Sequence, residues 1–162
     1  MMTLAVFSDS HGDSARMCAA IETHKPDAAI FLGDVVADIE AVRLRYPELP
    51  LYIVRGNCDN GAPGYEDSLL LELEGVRLLC VHGHNHGVKW GLQSFCTSVL
   101  SAGAKLGLYG HTHQPRWLEQ RGIQILNPGS IGSGQKPTYA LVELDAGKVH
   151  CRILDCASAG GN

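Results

Sequence analysis

Hydrophobic positions along this chain fall into short runs, and five of those runs end alike. Leu4-Ala-Val-Phe7 leads into Ser8-Asp9-Ser10-His11-Gly12, and Ala28-Ala-Ile-Phe-Leu32 leads into Gly33-Asp34. Leu51-Tyr-Ile-Val54 leads into Arg55-Gly-Asn57-Cys-Asp59, residues 76–81 into His82-Gly-His84-Asn-His86-Gly87, and residues 105–109 into Gly110-His-Thr-His113. A short apolar run closed by glycine and polar residues reads as a buried strand leaving its sheet through a tight turn. Asp13 or Ser14 can cap a helix over 15–24, with Met17, Cys18 and Ile21 on its apolar face and a stop at Pro26. A second helix over about 36–45 stops before Pro47. The first 60 residues therefore read β-α-β-α-β, which implies right-handed crossovers and a parallel sheet. Open α/β sheets bind ligands at the carboxyl ends of their strands, where these loops lie.

Beyond Gly64 the pattern changes. Segments 68–73 and 76–81 flank Glu74-Gly75 as a hairpin, and a helix over roughly 92–102 precedes the strand that ends at Gly110. Segments 116–120, 122–126, 139–144 and 149–154 read as antiparallel strands, joined by Arg121-Gly122, the glycine-rich loop 127–136 and the turn 145–147. Residues 157–162 read as a frayed end. No internal repeat or linker is visible, so one domain over 1–162 with a shared core is expected.

Composition narrows the function. The 162 residues are 45% hydrophobic and 19% charged, which suits a globular enzyme rather than a disordered chain. The net charge of -4 and the lack of a lysine or arginine run argue against a dedicated nucleic-acid surface. No apolar run approaches the ~20 residues that span a bilayer. The first residues lack a basic segment and cleavage site, so a cytoplasmic location is the expectation. Six cysteines stand at 18, 58, 80, 96, 151 and 156 without a CxxC pair, and are expected to be free thiols. Only Cys58 lies in a candidate loop.

The candidate donors are Asp9, His11, Asp34, Asn57, His82, His111 and His113, spread over the five strand-to-loop junctions. If those ends face one way, all seven converge. Seven mixed oxygen and nitrogen ligands exceed one tetrahedral zinc and suit two ions of the Mn, Fe, Co, Ni or Zn kind, about 3.5–4 Å apart. Asp34 is the natural bridge, because it follows the middle of the three parallel strands. Such a centre stays positive after Asp9 and Asp34 are counted, attracts a phosphate ester and supplies a metal-bridging hydroxide as nucleophile. A structural zinc site is disfavoured, because such sites are closed four-ligand sets rich in cysteine. Soft thiolate is not needed in this set, so Cys58 is not read as a ligand. His86 reads as a solvated loop residue, His24 and His150 as surface residues, and Trp90 and Trp117 as packing residues. Asn127-Pro-Gly-Ser130 reads as a structural turn beside the site.

Asp9-Ser-His11, Gly33-Asp34, Gly56-Asn57-Cys-Asp59, His82-Gly-His84 and Gly110-His-Thr-His113 together resemble, in order, the five blocks of the calcineurin-like metallophosphoesterases. Asn127-Pro-Gly-Ser130 is similar to a segment of their small single-domain prokaryotic phosphodiesterase branch, and the resemblance runs from about residue 3 to 145. It implies a four-layer αββα sandwich of two mixed sheets flanked by helices. It implies one metal held by Asp9, His11, Asp34 and His113, and a second held by Asp34, Asn57, His82 and His111. Two divalent ions per chain are expected, Mn²⁺ first, with Ni²⁺, Fe²⁺, Co²⁺ or Zn²⁺ as alternatives. Asn57, Cys58 and His84 are the residues expected at the reacting group. Many members carry histidine where this chain has Cys58, which leaves the leaving-group proton without its usual source. His84 is the candidate substitute, and esters with good leaving groups are the expected best substrates. The function implied is hydrolysis of small phosphate diesters, with monoesters as the second class. The alternative is a metal-binding scaffold of the same fold acting through protein contacts, as in a subunit of the eukaryotic retromer coat that lost site histidines. All seven positions are filled here, which favours the enzyme. The loops at 60–66 and 132–136 are expected to line the entrance, and exposed antiparallel edges would allow a homo-oligomer.

Overall fold

In a computed structural model of the chain, which describes residues 1–132 and 136–156, every expected strand and helix is present. The order is β1 (Met2–Phe7), α1 (Ser14–His24), β2 (Ala28–Phe31), α2 (Val36–Arg45), β3 (Leu51–Ile53), β4 (Ser68–Leu73), β5 (Val76–Val81), α3 (Gln93–Ser101), β6 (Leu106–Leu108), β7 (Arg116–Gln120), β8 (Ile123–Asn127), β9 (Thr138–Asp145) and β10 (Lys148–Asp155). Short 3-10 turns at Asn57–Asp59 and His84–His86 carry two of the candidate loops. Residues 157–162 and most of the loop expected at the entrance, 133–135, lie outside the described residues.

Two mixed sheets result, ordered β10-β9-β1-β2-β3 and β4-β5-β6-β8-β7. Strands β1, β2 and β3 run parallel as the sequence implies, with β2 in the middle. Strand β8 is antiparallel to β7 but parallel to β6, so only one of its two pairings is of the expected kind. The reason is topological: β7 and β8 form a hairpin at the sheet edge, and β8 must then lie along β6.

Alternation along each strand divides the apolar side chains between layers. Leu4 and Val6 of β1 and Leu78 and Cys80 of β5 fill the core between the sheets. Ala5 and Phe7 face α1 and α2, where Met17, Ile21, Ile39 and Val42 cover them. Leu79 and Val81 face α3, against Phe95 and Val99. The architecture is therefore the four-layer αββα sandwich. The central strands are apolar on both faces because both faces are covered, which is why they read as uninterrupted runs. Each fully buried Leu, Ile or Phe contributes about 1.5–3 kcal/mol. No helix among the described residues is long and apolar enough to cross a membrane.

Candidate metal centre

The carboxyl ends of β1, β2, β5 and β6 meet at one edge of the sandwich, joined there by the loop after β3. Five of the ten non-glycine residues with positive φ among the described residues are candidate donors there: Asp9, His11, Asp34, His111 and His113. Aspartate and histidine tolerate this region better than most side chains, and such strain gathers at functional sites. Glycine is required where the loops touch. A Cβ on Gly56 would lie 2.1 Å from Asp34 Oδ1, and one on Gly110 would lie 2.0 Å from Ser8 Oγ.

One donor from each of Asp9, His11, Asp34 and His113 lies within 4.8 Å of the others, a group that could hold a metal ion. Asp9 is fully buried. Its Oδ2 accepts the Ser8 hydroxyl at 2.6 Å and the His111 amide at 3.1 Å. Its Oδ1 is buried and accepts no hydrogen bond, with His113 Nε2 at 3.2 Å. A buried carboxylate oxygen without a donor is expensive, so it fits a cation aimed at from that side. Burial pushes the Asp9 carboxyl above its ordinary range, against the opposing pull of His82, Ser8 and His113.

The remaining candidates gather around His82, which is fully buried. Its Nδ1 lies 2.7 Å from the Leu32 carbonyl and so carries the proton, leaving the Nε2 lone pair for another partner. That Nε2 is 3.0 Å from Asn57 Oδ1, 3.2 Å from His111 Nδ1 and 3.5 Å from Asp34 Oδ1. Asp34 thus touches both groups. Burial works to raise its carboxyl, but His82 and the Cys58 amide, 3.0 Å from Oδ1, outweigh it and hold Asp34 far below the carboxylate range. Burial would lower His82, yet Asp34 and Asp9 raise it. His111 is pushed down to about 4, first by burial and then by His82, so it is neutral at pH 7.

His84 lies above this cluster, its ring centroid 5.4 Å from that of His82 and 6.2 Å from that of His111. Burial and then His82 lower its pKa. Cys58 is exposed, and burial followed by Asp34 pushes its thiol up, so it is a protonated, poor nucleophile at neutral pH. Three readings from the sequence need correction. His86 is half-buried, packed edge-on against Phe95 at 5.6 Å rather than solvated. His24 is half-buried and bonded to Tyr139 Oη at 2.8 Å. Trp90 is not a packing residue: it is 94% exposed.

Sequence reasoning also overlooked the residues that hold the loops. Asp59, 6% exposed, accepts four backbone amides: Asp34 and Gly56 on Oδ2, both at 2.8 Å, and Val35 and Val36 on Oδ1, at 2.8 and 3.0 Å. It ties the Asp34 loop to the Asn57 loop. Asp38 Oδ2 similarly accepts Ser10 Oγ and the Gly12 amide, fixing the turn that carries His11. Asn127 donates to the Gly110 carbonyl and Thr112 Oγ1, and Ser130 Oγ donates to the Asp9 carbonyl. The turn 127–130 is therefore a buttress for the site, as expected. Asp59 is the fourth residue of the Gly56 block, and only its position beside Asn57 could have marked it.

Comparison with known proteins bears on this geometry. The profile of the calcineurin-like phosphoesterase superfamily domain matches residues 2–147. YsnB of Bacillus subtilis (strain 168), a probable metallophosphoesterase, is 30% identical over 160 residues, covering 96% of this chain and 92% of the relative. The phosphodiesterase YfcE of Escherichia coli (strain K12) is 30% identical over 177 residues, covering 90% and 89%. The crystal structure of a predicted phosphoesterase from Streptococcus pneumoniae TIGR4 has a TM-score of 0.78 and 29% identity, covering 96% of this chain and 90% of that one. Vps29 of Entamoeba histolytica, crystallised with Zn²⁺, has a TM-score of 0.77 but 18% identity, covering 96% and 99%, and so shares the fold alone. A profile that takes in all five donor-bearing loops, with relatives of this kind along nearly the whole chain, leaves a plain conclusion: the protein belongs to the calcineurin-like phosphoesterase superfamily and is a metal-dependent phosphoric ester hydrolase.

Proposed function

We propose that the chain hydrolyses small phosphate diesters at a pair of divalent ions. Asp9, His11, Asp34 and His113 would hold one ion and Asp34, Asn57, His82 and His111 the other, with Mn²⁺ the first choice. When bound, the ions supply Lewis acidity and activate the attacking water. The observation that carries the reading is that the Asp34 carboxylate touches both donor groups, as a bridging ligand must.

The chain's own residues supply orientation. The Leu32 carbonyl fixes the His82 tautomer, and the amide of Cys58 fixes Asp34 Oδ1. Ser8 and the His111 amide turn Asp9 so that Oδ1 faces inward. His84, its pKa lowered by burial and His82, would donate its ring N–H to a phosphate oxygen rather than act as a strong acid. The Cys58 thiol is no better a proton source. Without a strong general acid, a low-pKa alcohol must leave largely unaided, so good leaving groups are favoured. The name of the relative YfcE supports a diester rather than a monoester.

The test is hydrolysis of bis(p-nitrophenyl) phosphate and p-nitrophenyl phosphate by metal-stripped protein, with Mn²⁺, Ni²⁺, Co²⁺, Zn²⁺ and Mg²⁺ restored singly. Metal-dependent cleavage of the diester, abolished in Asp34→Asn and His111→Ala, is the expected result. Turnover without added metal, or turnover that survives Asp34→Asn, would refute it.

A further inference from the structure

Beside the metal centre lies a cavity of 580 Å³ that the hydrolysis itself does not use. None of the seven donors lines it. Thr112, which lies between His111 and His113 in the chain, lines it together with Lys89, Trp90, Leu92, Pro115 and Arg116. A second cavity of 560 Å³ shares Leu92 and Arg116 with the first and continues to Arg121. Together they make a groove that follows β7 from Arg116 to Gln120.

Three properties of the groove point to a ligand. Its charged lining residues are Lys89, Arg116 and Arg121, and neither cavity is lined by an aspartate or glutamate, although the chain carries a net charge of -4. None of the three cations takes part in an ion pair among the described residues. Trp90, 94% exposed, presents an indole to solvent at the rim, where a buried position would stabilise it by far more. An exposed indole in a groove lined by unpaired cations suits a ligand that joins a planar ring to a negative charge, because stacking tolerates any base and cations take the phosphate.

We propose that this groove binds one ester arm of the substrate, and that the arm is a nucleotide: a base stacked on Trp90, with a further phosphate held by Lys89 and Arg116. The proposal rests on the phosphodiesterase reading, since it places the scissile phosphate at the metal centre and the arm beyond Thr112. It narrows the substrate from small diesters in general to diesters with a nucleotide arm. A protein partner seated on Trp90 is the competing occupant.

A binding measurement separates this inference from the hydrolysis. In the Trp117→Phe chain Trp90 is the sole tryptophan, so its fluorescence reports the groove alone. The metal-stripped protein is titrated with adenosine 5′-diphosphate, adenosine and pyrophosphate, in low and high salt. Saturable quenching by the diphosphate is expected, with adenosine and pyrophosphate each weaker by about tenfold or more, the loss of one stacked ring or of the charge contacts. Lys89→Ala and Arg116→Ala should each weaken the diphosphate about tenfold and flatten its salt dependence. Both residues are exposed, so the folded chain should tolerate their loss. With metal restored, Trp90→Ala should raise KM for a nucleoside p-nitrophenyl phosphate more than for methyl p-nitrophenyl phosphate, at similar kcat. Absence of quenching, equal response to all three ligands, or indifference to both cation variants overturns the inference. Nucleotide binding without diester cleavage would instead count against the proposed hydrolysis, and cleavage without nucleotide binding would count against the groove alone.

Discussion

Replacing Asp59 by asparagine is the sharpest test of how the loops are held. Each carboxylate oxygen accepts two backbone amides, buried at Asp34 and Gly56 and part-buried at Val35 and Val36, and Val35 is a β-branched residue at φ 72 that opens α2. Asparagine keeps one oxygen and turns an NH₂ group against the other two donors. Two stranded N–H groups at about 1–3 kcal/mol each, partly relieved by rotation, put the loss at about 2–4 kcal/mol. Removal of a negative charge beside the start of α2 adds about 0.3–1 kcal/mol. At about 2–4 °C per kcal/mol for a chain of this size, Tm should fall by roughly 5–20 °C. The assay is thermal unfolding by circular dichroism with chelator present, so that metal binding does not contribute. Because the Asp34 amide is one of the four donors, metal affinity should fall as well. A Tm within about 2 °C of the parent chain would show that Asp59 does not anchor these loops.

Other outcomes follow from the same contacts. Gly110→Ala would place a methyl 2.0 Å from Ser8 Oγ and 2.9 Å from Asp9 Oδ2, so Mn²⁺ affinity by calorimetry should drop at least about tenfold; unchanged affinity would show that the Asp9 contact is not needed. Asn127→Ala removes two bonds donated to Gly110 and Thr112 and one accepted from Gly129, and should cost about 2–4 kcal/mol in urea unfolding, with faster amide exchange at 110–113. Cys58→His should raise turnover of alkyl diesters by about tenfold or more by restoring a proton donor, while Cys58→Ser should leave the slow rate as it is. His24 has its pKa lowered by burial and then by Arg152, so the unfolded chain takes the proton first as pH falls. Its contribution is fully present above the ordinary histidine value of about 6.5 and is lost as pH falls below it. His24→Gln should therefore narrow the stability difference between pH 7.5 and 5.5, and an equal difference would contradict the assignment.

The strands and helices were legible because burial writes itself into sequence. Leu4-Ala-Val-Phe7 is apolar throughout because Leu4 and Val6 enter one core and Ala5 and Phe7 the other. The candidate donors were legible as residue types repeated at strand ends, and the fold brings them together. What stayed hidden depends on contacts between distant loops. Asp59 looks like any loop aspartate until the Asp34 loop folds back onto it. His24 and His86 look solvated until Tyr139 and Phe95 arrive from elsewhere in the chain. Trp90 is the opposite case: a tryptophan is ordinarily packed, and only the fold reveals that nothing covers it. The parallel partner of β8 was hidden because pairing direction is set by the path of the chain rather than by the strand's own pattern.

The proposed chemistry turns on two ions sharing Asp34. The most direct measurement is titration of metal-stripped protein with Mn²⁺, followed by its bound stoichiometry and its electron paramagnetic resonance spectrum. Two ions per chain with a spin-coupled signal are expected, with loss of that coupling in Asp34→Asn. One ion per chain, or two ions with uncoupled signals, would contradict it.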